Sequence, residues 1–281
     1  MSSLAQTFDS DAVKHPLLRI QDVSKAFIVS DRRVQALSHV DLDVEQGEFV
    51  SIVGASGCGK STLLRLILGL DTDYEGAIRL EGRRIERPGL DRSIVFQEHR
   101  LLPWLTVEAN VGAALRQIKG SGAEKRARVE AQLHLVGLQS FAKAYPAQLS
   151  GGMAQRVAIA RALVTNPKFL LLDEPLGALD ALTRLRLQDE LLRIVRNRGA
   201  TAILVTHDVD EAVYLGDRIV IMSPHPGRIA SVLPVPKEMS RDRSDPAFLR
   251  LRDDVLTRLG VNKAAAVYDR LLEIPNEQRV H

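Results

Sequence analysis

The sequence predicts an α/β fold with a mostly parallel sheet, an N-terminal antiparallel β subdomain and an inserted helical subdomain. Short apolar runs bounded by turn residues or helical patterns recur along the chain, which is typical of buried parallel strands. These runs lie at residues 49–53, 93–96, 168–172, 202–206 and 218–222. Apolar and polar residues alternate over residues 17–23 and in parts of 34–44, which indicates a partly exposed antiparallel sheet. Between Gln97 and Leu149 the apolar residues recur at helical spacing instead. The candidate helices there are residues 106–118 and 123–136.

These patterns divide the chain into one large domain and a tail. The domain covers residues 17–235, with the helical subdomain inserted at residues 98–165. The tail, residues 236–281, has two modest helical patterns at 245–259 and 263–272 and no run of strands that could form another β domain.

Composition and charge exclude several classes of protein. With 45% hydrophobic and 26% charged residues, the 281-residue chain is neither disordered nor collagen-like. A formal net charge of +3 is small for this length and does not favour binding to nucleic acid. No apolar run approaches the roughly 18 residues that span a bilayer, and acidic residues near the N-terminus are unlike a signal peptide. The lone cysteine, Cys58, cannot form an internal disulfide, which fits a reducing cytoplasm.

A glycine-rich loop with the spacing of a phosphate-binding loop follows the apolar run 49–53 and leads into the helical pattern of residues 63–70. This P-loop consists of Gly54, Ala55, Ser56, Gly57, Cys58, Gly59, Lys60, Ser61 and Thr62. Glycines are needed because the backbone must wrap closely around phosphate oxygens. In this motif Lys60 contacts the β- and γ-phosphates and Ser61 contacts Mg²⁺. The sequence therefore predicts a P-loop NTPase core that binds Mg-ATP. Cys58 is interpreted as a small side chain tolerated between two glycines, because no neighbouring base could form its thiolate.

The apolar run 168–172 ends in two carboxylates, Asp173 and Glu174. Ligands of open α/β sheets bind at the carboxyl ends of the strands. We therefore expect Asp173 to face the Mg²⁺ coordination sphere and Glu174 to polarise the attacking water.

Two further glycines at a predicted helix start indicate a second phosphate-facing surface. The signature segment consists of Leu149, Ser150, Gly151, Gly152 and Met153, and its helix continues through Leu163. Ser150 lies at or near the N-cap, and a helix N-terminus attracts anions. One chain therefore offers two surfaces to phosphate.

The order of these motifs resembles the ATP-binding subunits of ABC transporters over about residues 17–230. The matching positions are the P-loop at 54–62, Gln97, the signature segment at 149–153, Asp173 with Glu174, the segment 177–180 that ends in Asp180, and His207. The resemblance implies an ATPase that forms a head-to-tail homodimer. Each ATP would lie between the P-loop of one chain and Ser150 and Gly152 of the other.

The resemblance also implies roles for single residues. Gln97 would contact Mg²⁺ and the attacking water, Asp180 would communicate across the dimer interface, and His207 would contact the γ-phosphate. Phe27, in a predicted edge strand, matches the aromatic that stacks on adenine. Met153 departs from the glutamine that the family usually has there.

Residues 95–107, 173–184 and 206–212 are similar to the importer subfamily that handles nitrate, sulfonates, taurine and related small solutes. This similarity implies a peripheral subunit on the cytoplasmic face of the inner cell membrane. Its partners would be integral membrane permease subunits and, indirectly, a periplasmic or extracytoplasmic solute-binding protein. In the family, a membrane subunit docks near residues 98–105, which we term the docking segment. Trp104 either presents an apolar anchor there or packs within the helical subdomain.

Other classes fit the motifs less well. A P-loop kinase has no use for the signature segment. Soluble ABC proteins of DNA repair or translation usually carry a long coiled coil or two cassettes, whereas this chain has one P-loop and 51 residues between Gln97 and Leu149. A scaffold with a dead site is disfavoured by Lys60, Glu174 and His207. An ABC-type ATPase with a different cargo, or a non-transport P-loop ATPase, stays open.

The helix predicted after Asp180 has a basic face. Its arginines are Arg184, Arg186, Arg193, Arg196 and Arg198. A charged helix face is usually solvated surface. We therefore expect these arginines to be exposed.

Overall fold

The computed structural model describes residues 16–177 and 179–261. The strands are β1 (Leu18–Val29), β2 (Arg32–Val44), β3 (Phe49–Gly54), β4 (Glu75–Leu80), β5 (Arg83–Arg84), β6 (Arg92–Val95), β7 (Phe169–Asp173), β8 (Thr201–Thr206), β9 (Arg218–Ser223) and β10 (Arg228–Pro234). The helices are α1 (Lys60–Leu68), α2 (Val107–Ala113), α3 (Gly122–Leu135), α4 (Gly151–Leu163), α5 (Ala181–Arg198), α6 (Val209–Leu215) and α7 (Pro246–Arg258).

The larger sheet has the strand order β10-β9-β3-β8-β7-β6. Its pairs are parallel except that β10 runs antiparallel to β9. Successive side chains enter different apolar clusters: Ala202 and Leu204 of β8 lie on one face of the sheet, and Ile203 and Val205 lie on the other. The predicted mostly parallel α/β fold is confirmed.

The smaller sheet is antiparallel where its pairs are described, and its order is β2-β1-β4-β5. Its apolar face shares one cluster with α1 and β3. The prediction of an edge strand for Phe27 is wrong, because β1 lies between β2 and β4. Pairing with β4 ends at Ser24, so Phe27 lies beyond it and pairs with Val34 of β2.

The chain between β6 and β7, which the structure describes throughout, is helical. It contains α2, α3, α4 and two 3₁₀ turns at Gln139–Phe141 and Pro146–Gln148. The helix expected over residues 106–118 is shorter than predicted, because the residues after Ala113 form i→i+3 turns. Helix α4 packs against α2 and against β6, the edge strand of the parallel sheet.

The described residues after Val235 pack against the parallel sheet. Phe248 and Val255 of α7 are fully buried in one cluster with Val53 of β3 and Val209 of α6. The helix expected at 245–259 is α7, whereas the one expected at 263–272 lies outside the described residues. Strands β4 and β10 were not predicted. Within residues 16–177 and 179–261, no helix has both the length and the apolar character to cross a membrane.

Candidate nucleotide-binding site

The P-loop joins the end of β3 to the start of α1. Residues 55–57 are exposed, and Gly59, the N-cap of α1, has φ 92° in the left-handed region. A Cβ at Gly54 would lie 2.6 Å from the carbonyl oxygen of Met222 and 2.7 Å from Sγ of the buried Cys58. Glycine is therefore required at position 54, where β3 ends beside β9, and the exposed loop leads into the N-terminus of α1, which attracts anions.

Lys60 lies inside this loop with 7% of its surface exposed. Its Nζ donates to the carbonyl oxygens of Gly54, at 2.8 Å, and Ala55, at 3.1 Å. The ammonium group is thus held inside the curve of the P-loop, where a phosphate chain would pass.

Two side-chain oxygens that could ligate a metal lie close together where α1 begins and β7 ends. The Ser61 hydroxyl donates to Oδ1 of Asp173 at 3.2 Å. Burial raises the pKa of Asp173 above its usual value, against the lowering effect of the hydrogen bond from Ser61. Among the described residues, no group of three or more His, Cys, Asp or Glu could hold a metal. Ser61 and Asp173 are hard oxygen ligands suited to Mg²⁺ that is bound together with nucleotide phosphates.

The carboxylate of Glu174 lies beside His207. Oε2 of Glu174 is 3.0 Å from Nδ1 of His207, and the imidazole remains 65% exposed. Glu174 has φ 46°, in the left-handed region, and its N–H donates to Val205 of β8 at 2.8 Å. Such a conformation persists where surrounding contacts fix it, as at many functional sites.

Gln97 faces the same loop. A Cβ at Gly177 would lie 3.3 Å from Nε2 of Gln97 and 3.8 Å from Oε2 of Glu174. Gln97, Glu174 and His207, predicted from distant parts of the sequence, therefore lie together at the carboxyl ends of the parallel strands.

The signature segment begins α4. Ser150 is the exposed N-cap, and its Oγ accepts from the N–H of Met153 at 3.3 Å. The Met153 side chain packs against the apolar cluster beneath α4. A cleft of about 430 Å³ lies between Gly151 and Gln97, so the signature segment of a chain lies close to the Gln97 loop of the same chain.

Asp180 is the N-cap of α5, and its Oδ1 accepts from the N–H of Thr183 at 3.0 Å. Hydrogen bonds from the side chain and the backbone of Thr183 lower the pKa of Asp180.

Phe27 is 38% exposed, and Nζ of Lys25 lies 5.0 Å from the centre of its ring. The ring is therefore partly exposed beside an ammonium group.

Three residues near the site were not predicted to contribute to it. Nε2 of Gln155 donates to the Phe96 carbonyl at 3.1 Å, and Arg161 donates to the carbonyls of His99 and Arg100, each at 2.8 Å. For Gln155 and Arg161, the signal in the sequence was a polar residue on a helix that is otherwise mostly buried. Arg184, expected to be solvated, instead donates to two backbone carbonyls. The other four arginines are exposed as predicted, although Arg196 also contacts Asp217 and Arg198 also donates to the carbonyl of Leu163.

Trp104 is 70% exposed, so it does not pack inside the helical subdomain. Asn110 is fully buried and fixes the backbone beside it. Its Nδ2 donates to the carbonyls of Leu102, Leu105 and Thr106, and its Oδ1 accepts from Leu102. The indole is therefore presented outward on a rigid turn.

Comparisons with known proteins agree with this geometry. The family model for ABC transporters matches residues 37–177. The chain is 48% identical over 233 residues to the aliphatic sulfonates import ATP-binding protein SsuB of Bacillus subtilis, across 83% of this chain and 90% of that protein. It is also 48% identical to the bicarbonate transport ATP-binding protein CmpC of Synechocystis, across 87% of this chain but 38% of that longer protein. A dimeric ATP-binding cassette solved with ADP and phosphate matches with a TM-score of 0.69 and 35% identity, across 78% of this chain and 99% of that one. The chain therefore belongs to the ABC transporter family, as one of its ATP-hydrolysing subunits.

Proposed function

We propose that the chain hydrolyses Mg-ATP to drive the import of a small anionic or zwitterionic solute, such as a sulfonate, taurine, nitrate or bicarbonate, through a separate membrane permease. Two of the relatives are named for the import of aliphatic sulfonates and for the transport of bicarbonate. The observation that supports hydrolysis most directly is the 3.0 Å contact of Glu174 with His207, one residue from the Asp173 contact with Ser61.

Each residue of this site has a separate role in binding or hydrolysing ATP. Lys60 and the backbone N–H groups of the P-loop hold the β- and γ-phosphates. Glu174 accepts a proton from the attacking water, and Gln97 orients that water. His207 donates to the γ-phosphate while its other nitrogen stays against Glu174. Phe27 stacks on the adenine.

Ser61, Asp173 and Gln97 are the residues that would hold Mg²⁺. When bound, the ion neutralises charge on the β- and γ-phosphate oxygens. The chain supplies two adjacent oxygen donors, Ser61 Oγ and Asp173 Oδ1, 3.2 Å apart. The remaining ligands would come from phosphate and water.

The signature segment acts in a second copy of the chain. Ser150 is exposed at the N-terminus of α4, where it can receive a γ-phosphate from outside together with the backbone of Gly152, although Gly152 itself is buried in its own chain. Asp180, exposed at the N-terminus of α5, contacts the facing copy. Two ATP molecules would then close a head-to-tail homodimer, and hydrolysis would reopen it.

The docking segment receives the permease, and the chain therefore works at the cytoplasmic face of the cell membrane. The exposed Trp104 on its rigid turn supplies an aromatic anchor of the kind that dominates interface cores. The solute contacts the permease and a solute-binding protein outside the membrane, so no residue of this chain need touch it.

The shared-site dimer is tested with Glu174→Gln. This variant should lower kcat by about 10²- to 10⁴-fold and dimerise in Mg-ATP, as measured by light scattering after size exclusion. Adding Ser150→Arg should abolish the dimer, because a bulky cation replaces the N-cap that faces the phosphate. Ser140→Arg, at an exposed serine of the first 3₁₀ turn, is the matched control and should still dimerise. A Ser150→Arg double variant that dimerises normally would refute the shared site.

The cargo is tested in proteoliposomes that contain the chain with its permease. Candidate solutes are supplied with the solute-binding protein, and ATP hydrolysis is measured for each. Stimulation by a sulfonate, taurine, nitrate or bicarbonate identifies the solute, whereas stimulation by none of them contradicts this solute class.

A further inference from the structure

The three contacts of Arg184 link the two loops that carry the proposed hydrolytic residues. Arg184 lies in the first turn of α5, directly after Asp180 has capped the helix. Its Nη2 donates to the Leu179 carbonyl at 2.9 Å, and its Nε donates to the Leu176 carbonyl at 3.3 Å. Both carbonyls belong to the loop that begins at Glu174. The guanidinium therefore joins two positions of this loop from α5, the helix that follows the loop.

The same guanidinium reaches the loop of His207. Its Nη1 lies 3.6 Å from Oδ2 of Asp208, and both side chains are about one-third exposed or less. Asp208 is the N-cap of α6: its Oδ1 accepts from the N–H of Glu211 at 3.0 Å, and its own N–H donates to Thr206 Oγ1 at 3.0 Å. Asp208 thus sets the backbone on both sides of His207.

These contacts meet a specific need of the Glu174 loop. Glu174 has a positive φ, which is strained for a residue other than glycine or asparagine. Its backbone N–H is tied to β8 and its carbonyl accepts from the N–H of Gly177, so the backbone bonds to Glu174 itself do not reach the end of the loop at Leu179. Arg184 supplies two hydrogen bonds at Leu176 and Leu179, and no other described side chain donates to these carbonyls. A planar guanidinium with several donors suits this bridge, whereas an ammonium group cannot span it.

We propose that Arg184 is a positioning residue, which sets the Glu174 carboxylate against the His207 imidazole by fixing the Glu174 loop to Asp208. The inference rests on the proposed roles of Glu174 and His207 and adds a residue to which the proposed function gives no direct part in binding or hydrolysis. Loss of the bridge lowers the rate of hydrolysis more than it lowers the binding of ATP, because the P-loop is untouched.

The test compares Arg184→Met and Arg184→Lys with Arg186→Met, an exposed arginine on the same helix, in the full-length chain. We expect Arg184→Met to lower kcat at least ~10-fold, since misplacement of a reacting group by about 1 Å can cost up to ~100-fold. KM for ATP should stay within about twofold, because the P-loop contacts are separate. Arg184→Lys should not restore the rate, and Arg186→Met should match the wild type. Arg184→Met with the kcat of Arg186→Met would overturn the proposal.

A second variant keeps the test decisive if Arg184→Met fails to fold. Asp208→Asn removes the charge that faces Arg184 but preserves an N-cap, because asparagine caps as well as aspartate. It should lower kcat in the same way, and combining it with Arg184→Lys should add little further loss, since both break one link. Additive losses would overturn the bridge. Glu174→Gln is measured in the same experiment. If Glu174→Gln hydrolyses ATP normally, both the site assignment and this inference are refuted. If Glu174→Gln is inactive while Asp208→Asn hydrolyses ATP normally, only the inference is refuted.

Discussion

Replacing Gly152 by alanine tests the packing of the signature helix against α5. A Cβ at Gly152 would lie 2.6 Å from Cγ2 of Thr183, whereas a Cβ at Gly151 would lie 3.7 Å from Cδ2 of Leu179, an ordinary contact. Both changes gain similar helix propensity, so their difference isolates the clash. Forcing a methyl into a packed contact costs about 1–3 kcal/mol. We expect Gly152→Ala to be less stable than Gly151→Ala by that amount, a fall of several degrees in Tm.

The assay is urea unfolding followed by circular dichroism, analysed by linear extrapolation. Thr183→Ser gives a direct check, because it removes Cγ2 and leaves the backbone N–H that caps onto Asp180. In the Thr183→Ser background the two alanine variants should become equally stable. If they already match in the wild-type background, or if their difference persists in the Thr183→Ser background, then close packing is not what requires glycine at position 152.

Three further predictions concern burial, charge and docking. Phe248→Ala should lower the free energy of unfolding by about 3–5 kcal/mol, whereas Phe141→Ala, at a ring that is 39% exposed, should cost far less; equal losses in urea unfolding would contradict the burial of α7. Burial raises the pKa of Glu211 from 4.5 to about 7, so the folded chain binds a proton that the unfolded chain releases, and stability should fall as pH rises from 4.5 towards 7. In Glu211→Gln this decrease in the free energy of unfolding should be smaller by about 3 kcal/mol, at about 1.36 kcal/mol for each pKa unit. If the free energy of unfolding of the wild type and of Glu211→Gln changes in parallel between pH 4.5 and 8, the prediction is refuted. Trp104→Ala should leave stability within about 0.5 kcal/mol and ATP hydrolysis by the isolated chain unchanged, but should weaken binding to permease vesicles in a co-sedimentation assay; unchanged binding would remove Trp104 from the docking surface.

The parts of the fold that were predicted are those specified by local sequence. Strand β3, the P-loop and α1 are adjacent in the chain, and their apolar runs and glycines encode them directly. Strand β7 is predicted equally well by its continuous apolar run. Strand β10 was missed although its residues alternate in exposure, and β4 was missed because two of its six residues are exposed and one is only half-buried.

The contacts that join the motifs were not predicted, because they connect residues distant in sequence. Arg161 reaches carbonyls 61 and 62 residues earlier, and Arg184 reaches Asp208 from another helix. A pattern of periods 2 or 3.6 reports which face of an element is buried, but it does not report which polar group meets a charge there. The basic helix face was interpreted as solvated, and four of its five arginines are exposed, but the pattern did not predict that three of the five also hold backbone or acidic partners.

Arg161 and Gln155 link α4 to the backbone in and just before the docking segment. Both donate to backbone carbonyls between Phe96 and Arg100, and both lie on α4, whose N-cap is Ser150. Burial lowers the pKa of Arg161, so its bonds form in a partly desolvated site, and a hydrogen bond to a charged group is worth about 1.5–3 kcal/mol. These bonds join His99 and Arg100 of the docking segment to the helix that Ser150 caps. Under the proposed function, permease contact with the docking segment would act on α4, and so on Ser150, through these hydrogen bonds.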